Sequence, residues 1–205
     1  MRVIQLNQGS REWTRWRRNG IGGGDIAALL GLSPFPEATA DGLLAEKLGD
    51  TERATNFAMR RGVLLEPQAR AMFEAREKTG YVPMCVEHDT APWMRASLDG
   101  YSHARNDIIE VKAPSFKVHD LALAGLVPDH YLCQVQWQLL VTDCRVCHFV
   151  SYNPAGRFQN GAELAVVRVT EDAEHQAAIL EAAEMFWMRV ADSLRSRMIP
   201  AGACP

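Results

Sequence analysis

Apolar and polar positions along the chain fall into blocks of two periods, one helical and one strand-like. Residues 10–19 set Trp13 and Trp16 among charged positions and predict a short helix, with Ser10 suited to its N-cap. Gly20-Ile21-Gly22-Gly23-Gly24-Asp25 then predicts a glycine loop, with Asp25 as the cap of a helix built on the apolar run 26–30 and closed by Gly31. Pro34 and Pro36 mark a turn, and residues 39–48 predict another helix. Residues 55–78 read mostly as helix, stopped by Gly80; Pro67 inside it predicts a kink or a fresh helix start.

Strand patterning follows at 81–88, 95–102 and 107–112, the last two joined by the turn Arg105-Asn106-Asp107. A helix is predicted over 130–141, strands over 145–152 and 164–169, and a long amphipathic helix over 172–197. Ile179, Ala182, Ala183, Phe186 and Val190 form the apolar stripe of that last helix. The expectation is an α/β fold, a mixed central sheet flanked by helices, in one domain spanning 1–205.

Composition adds little to this. The chain has 205 residues, 47% of them hydrophobic and 23% charged, enough for a real core. No apolar run approaches the roughly 18 residues that span a bilayer. Residues 1–9 lack a charged-then-apolar leader, so the expected setting is cytoplasmic, without membrane contact. Five cysteines at irregular spacing predict free thiols rather than a disulfide framework. The net charge of −3 is no basis for general DNA binding, but Arg2, Arg11, Arg15, Arg17 and Arg18 face a single acid, Glu12, within residues 1–24. That segment is either a solvated helix face or a place where phosphate is met.

Candidate chemistry is concentrated in residues 97–114. Strand alternation puts Glu110 and Lys112 on one side and Val111 on the other, in the core. A hairpin can bring Asp99 beside Glu110. Carboxylates are hard oxygen ligands for Mg²⁺, and a bound cation lowers the pKa of a water and stabilises charge on a phosphodiester in transit. A lysine beside that water can orient it or take its proton. The plain alternative is a surface hairpin with an exposed Glu–Lys pair.

Four ordered blocks raise the first reading. They are Arg17 with Gly22-Gly23-Gly24-Asp25 to Gly31; Arg61-Gly62 with Glu66-Pro67 and Ala69; Ser97-Leu98-Asp99-Gly100 with Glu110-Val111-Lys112-Ala113-Pro114; and Tyr131 with Gln134-Val135-Gln136. Together, over residues 10–152, they resemble the PD-(D/E)XK nuclease superfamily, and within it the lambda-exonuclease-like (YqaJ-type) viral recombinase nucleases.

The resemblance implies a restriction-endonuclease-like core and a Mg²⁺-dependent exonuclease. It would degrade linear double-stranded DNA 5′ to 3′ and leave 3′ tails for recombination. Asp99, Glu110 and the backbone carbonyl of Val111 are the implied ligands of two Mg²⁺ ions, which Mn²⁺ can replace. Lys112 is implied to activate water, Glu66 to be a further ligand or supporting carboxylate, and Gln134 to fix the lysine or the phosphate. Tyr131 and Asp89 stand at weaker matching positions. Arg17, or Arg18 if the register slips, is implied to hold a 5′ phosphate with Gly23 and Gly24, where relatives carry serine in place of Gly24. Met59 is either a wedge between end base pairs or a helix-packing methionine. Implied partners are DNA ends, two further copies in a ring-shaped homotrimer, and a single-strand annealing protein, in a bacterial or phage-infected cell. The alternatives are an endonuclease on the same core and a catalytically inactive DNA-end-binding protein.

Cys144-Arg145-Val146-Cys147-His148, with Cys133, also fits a haem or zinc pattern. Strand alternation would put Cys144 and Cys147 on opposite faces, which favours free thiols packed near the sheet.

Overall fold

In the computed structural model, which describes residues 1–52, 57–156 and 162–198, the two periods of the sequence become two kinds of layer. In chain order the elements are β1 (Arg2–Ile4), α1 (Arg11–Arg18), β2 (Ile21–Gly22), α2 (Gly23–Leu29), α3 (Ala40–Leu48) and α4 (Phe57–Glu77). Then come β3 (Val82–Glu87), β4 (Met94–Ser102), β5 (Asp107–Lys112), α5 (Phe116–Leu123), α6 (Asp129–Thr142), β6 (Val146–Tyr152), β7 (Leu164–Thr170) and α7 (Ala173–Met198). The first two residues predicted for the α4 helix, and Cys204, lie outside the described residues.

The strands form one sheet in the order β1-β3-β4-β5-β6-β7, with β2 paired to β4. The β5–β6 and β2–β4 pairs are parallel and the rest antiparallel. The parallel β5–β6 pair needs a crossover, and α5 and α6 supply it. One face of the sheet packs on α6 and α7 through Val135, Trp137, Leu139, Ile179, Ala183 and Val190. The opposite face, with Ile109, Val111, Val150 and Tyr152, is covered by Ala69 and Phe73 of α4. The predicted α/β architecture is therefore present, with helices on both faces of a mixed sheet.

Three differences have local causes. Helix α4 runs through Pro67 without a restart. Proline denies a hydrogen bond to the carbonyl of Val63, and Val63 is on the exposed side, where water can serve that group. The glycine segment is not a loop: Ile21 and Gly22 pair with Met94 and Arg95 of β4, Gly22 is the N-cap, and Gly23 is already helical. Asp25 is thus at the third helical position, where its Oδ2 accepts from Gly22 N at 3.0 Å, rather than being the cap itself. Helix α5 and strand β1 were not anticipated; at eight and three residues both are too short to show a clear period.

The detail that matters most for the site is a bulge in β4. Val82 pairs with Tyr101 and Met84 with Leu98, so Asp99 and Gly100 together oppose Pro83. Pro83 has no N–H to give, and the ladder gains its extra residue there. A side chain on Gly100 would lie 2.7 Å from Tyr81 Cβ and 2.9 Å from Ile109, so only glycine fits this crossing.

Candidate active site

Beyond the bulge, β4 leaves β5. Backbone pairing between them reaches Gly100↔Ile109 and stops. The next N–H of β5 that faces β4, that of Val111, is taken by the side chain of Asp99, whose Oδ2 accepts it at 2.7 Å. The gap between the strands thereby becomes a cleft of about 170 Å³, lined by Asp99, Glu110 and Lys112 and closed on one side by α1 and the start of α2.

Glu110 is 1% exposed and is held by three donors. Gln134 Nε2 and Gln138 Nε2 each donate at 2.6 Å, one to each carboxylate oxygen, and Lys112 Nζ donates to Oε1. Gln134 thus reaches the carboxylate, not the lysine. Gln138, one helical turn further along α6, was not singled out as a site residue, although the spacing i, i+4 places both amides on one face. Lys112 also sits 5.3 Å from the ring of Tyr131, which packs on Phe149.

Burial pushes the Asp99 carboxyl well above the usual carboxylate range, and the charges of Glu110 and then Glu66 push it further; Lys112 and the Val111 N–H only partly oppose this. Burial alone would lower Lys112, but Glu110 and Asp99 outweigh it and hold the ammonium above its ordinary value. Two carboxylates forced together in a poorly solvated cleft form a site that calls for positive charge beyond that of Lys112. Their hard oxygen atoms suit Mg²⁺, and Asp99 Oδ1 accepts no hydrogen bond among the described residues. The donor set therefore fits the implied metal.

Glu66 is close enough to act on Asp99 by its charge but does not line the cleft. Its Oε1 accepts from Arg70 at 2.8 Å, and the same guanidinium nitrogen donates to the Asp99 carbonyl at 2.8 Å. Arg70, one turn after Glu66 on α4, ties the two together and was missed in the sequence. Arg61, quoted there only as part of a block, donates to the carbonyl of Ala113, just past Lys112. Asp89 is far from these groups in role: it is exposed, in the turn after β3, and takes the N-terminal amino group at 2.8 Å.

Arg17 lines the cleft beside Gly22, Gly23 and Gly24. Its guanidinium lies 4.7 Å over the Trp13 ring, and Nη2 is 3.7 Å from where a Gly24 Cβ would stand. Gly23 lets α2 close onto α6, since a Cβ there would be 3.0 Å from Gln134 Cγ. The segment is anchored from below. Lys47 of α3, 2% exposed at its side chain, reaches Asp25 Oδ2 at 2.7 Å and the Arg17 carbonyl at 3.0 Å. Met59 does not line this cleft but a neighbouring one, alongside Arg18.

Glu87 fastens α1 to the sheet. It accepts from Trp16 Nε1 at 2.7 Å and pairs with Arg2 and with Arg95, which lies 3.2 Å away. Burial would raise its pKa, but the Arg2 and Trp16 hydrogen bonds and the Arg95 charge hold it below the ordinary value. A carboxylate depressed in the folded state stabilises above its unfolded pKa, near 4.3, and that contribution is lost as pH falls through the folded value. We predict that the melting temperature drops below about pH 4.3 and that Glu87→Gln, less stable at neutral pH, flattens this acid limb. A pH profile identical to that of the parent protein would show that Glu87 does not carry it.

The cysteines correct one expectation. Cys144 and Cys147 do not face opposite ways: Cys144 precedes β6, so alternation does not govern it, and both thiols enter the core with Cys133. His148 points to the other face, against Phe73 and 3.1 Å from Asp107. Burial pushes the Cys133 thiol up to about 11 and raises Cys147 well above its usual range. Among the described residues no three His, Cys, Asp or Glu side chains gather as a metal-binding group. That includes the Cys–His pattern, and it leaves Asp99 and Glu110 as a pair without Glu66. No helix among the described residues is long and apolar enough to cross a membrane.

Solved structures of exonucleases share this fold. The alkaline exonuclease LHK-Exo from Laribacter hongkongensis, solved alone and in complex with dAMP, superposes with a TM-score of 0.78 at 24% identity, covering 91% of this chain and 95% of its own. A phage related exonuclease from Haemophilus somnus 129PT gives 0.63 at 15% identity, over 88% of this chain and 96% of its own. Among curated proteins there is no match. The sequence model of the YqaJ-like viral recombinase domain matches residues 12–145, a stretch that includes the cleft carboxylates, Lys112 and Arg17, and the chain belongs to that family.

Proposed function

We propose that this chain is a metal-dependent nuclease that digests linear double-stranded DNA from a 5′ end and leaves 3′ single-stranded tails. One observation carries the reading: the paired carboxylates with Lys112 share a single cleft with Arg17 and the glycine segment. A cleft that can hold a scissile phosphate at one end and an anion at the other suits the terminal residue of a strand. The two exonucleases named above, which have this fold, and the recombinase family itself support the same reading.

Asp99, Glu110 and the Val111 carbonyl would hold Mg²⁺, as two ions that Mn²⁺ can replace, and Glu66 would support them through its charge. Bound metal would polarise the phosphate and lower the pKa of the attacking water. Gln134 and Gln138 fix Glu110 so that its oxygens do not wander. Lys112, held as an ammonium beside Glu110, would orient the water and offset charge on the phosphate. Arg17 would take the 5′ phosphate. Gly22 N is already used by Asp25, so Gly23 and Gly24 are left to offer backbone donors. A ring-shaped homotrimer and a single-strand annealing partner belong to this proposal through the family resemblance.

The test is digestion of end-labelled linear duplex, with 5′-phosphate or 5′-hydroxyl ends, in Mg²⁺ and in EDTA. Loss of 5′ label only with Mg²⁺, faster from phosphorylated ends, is expected. Arg17→Ala should reduce that preference by about tenfold, the worth of one charge-assisted contact. Cutting of a circular plasmid would make the chain an endonuclease instead, and an unchanged preference in Arg17→Ala would move the phosphate site elsewhere.

A further inference from the structure

A second cleft, of about 640 Å³, opens next to the first. Trp13 and Arg17 line both, so the two meet at that pair. Arg11, Arg15 and Arg18 also line it, and at i, i+4 and i+7 they form one row along α1.

Two observations set the row apart. Arg105, Arg189, Arg195 and Arg197 are each paired with a carboxylate, and exposed Arg168, without an ion pair among the described residues, is a single arginine rather than part of a row. Arg11, Arg15 and Arg18 have no ion pair among the described residues. Cations in the last turn of a helix favour its dipole, which accounts for Arg15 and Arg18; Arg11, in the first turn, works against it. Helix stability therefore does not explain the row. The acids lining the cleft, Glu46 and Glu52, come from α3 and the segment after it, which leaves α1 as the wall that attracts an anion.

We propose that this cleft is a second nucleic-acid site, holding a single DNA strand whose phosphates follow the Arg11–Arg15–Arg18 row. Charge along this wall can track the backbone of a single strand, and the Trp13 ring, between Arg11 and Arg15 on α1, can receive a base. A cleft of this size admits one strand, not a duplex. The site rests on the nuclease reading only for the identity of the strand, the 3′ tail left as its complement is digested. Met59 then stands where that tail enters, beside the arginine row and apart from the metal cleft.

The experiment measures binding in EDTA, where cleavage cannot interfere, by anisotropy of a fluorescein-labelled oligothymidine across a salt series. A labelled blunt duplex serves as the second arm, and Mg²⁺-dependent digestion is assayed separately. For Arg11→Gln/Arg15→Gln/Arg18→Gln, oligothymidine affinity at low salt should fall on the order of tenfold to hundredfold, and the log–log salt slope should shrink by about 2, the release of roughly 0.7 ion per lost phosphate contact. An unchanged melting temperature confirms folding; Arg15→Gln alone, an exposed change, is the fallback and should remove about a third of the slope change. Wild-type affinity and slope in the triple variant overturn the site. So does failure of the parent protein to bind oligothymidine, or a loss confined to the duplex arm. Weakened strand binding without digestion in any divalent metal sustains this site and sinks the nuclease reading alone.

Discussion

Lys112→Ala is expected to cut Mg²⁺-dependent digestion of linear duplex by ~10³-fold or more while DNA binding persists. The ammonium reaches into the carboxylate pair through Glu110, and it sits against the Tyr131 ring. Loss of that cation leaves the Asp99 and Glu110 carboxyl groups without its compensating charge and removes the group that would orient the water. Glu110 keeps both glutamine amides, so the folded state should survive, with a lowered melting temperature that added Mg²⁺ partly restores. Comparison of single-turnover digestion with binding in EDTA separates chemistry from affinity. Activity equal to that of the parent protein would take Lys112 out of the mechanism.

The second large effect is on stability. Lys47→Met should cost about 3–5 kcal/mol, because it takes from the buried Asp25 carboxylate the ammonium that it holds at 2.7 Å. Burial already lowers the Lys47 pKa, with Asp25 working against that shift, so the pair exists only because each partner answers the other. Adding Asp25→Asn should recover part of the loss, since the buried side chain is then neutral. Urea unfolding of the parent, the single variants and the double variant measures the coupling. Single variants that lose under about 1 kcal/mol would mean that water reaches the pair and that it matters little. The effect should extend to function: Lys47 also holds the Arg17 carbonyl, so Lys47→Met should blunt discrimination between 5′-phosphate and 5′-hydroxyl ends.

Much of this was legible beforehand. The β5 sequence, with apolar Ile109 and Val111 set against Glu110 and Lys112, gave the strand, its two faces and the shared side of the charged pair, and the structure keeps all three. Ser10 caps α1 as expected, because a hydroxyl before a helix has few better partners than the free N–H groups of its first turn; Thr39, read as the first helical residue, is the cap of α3 for the same reason. The long α7 follows its stripe, with Ile179, Ala183 and Val190 nearly inaccessible.

What the linear pattern did not reveal depends on contacts between distant segments. Arg70 is an ordinary i, i+4 partner of Glu66 until α4 lies across β4 and the Asp99 carbonyl comes within its reach. Gln138 is an exposed-looking amide until α6 covers the sheet and Glu110 needs a donor. Lys47 and Glu87 belong to no recognisable block, yet they fix α1 and α2 against the core.

The sequence by itself determined most of the elements, a sheet flanked by helices, and the main residue types of the cleft, because periodicity and turn chemistry act over a few neighbouring residues. Only the tertiary structure decided that β4 bulges opposite Pro83, that Asp99 takes the Val111 N–H, and that Glu66 remains with Arg70 instead of joining the carboxylate pair. The physical reason is that burial turns each polar group into a demand for a partner, and which partner is near enough to answer is fixed by packing, not by spacing along the chain.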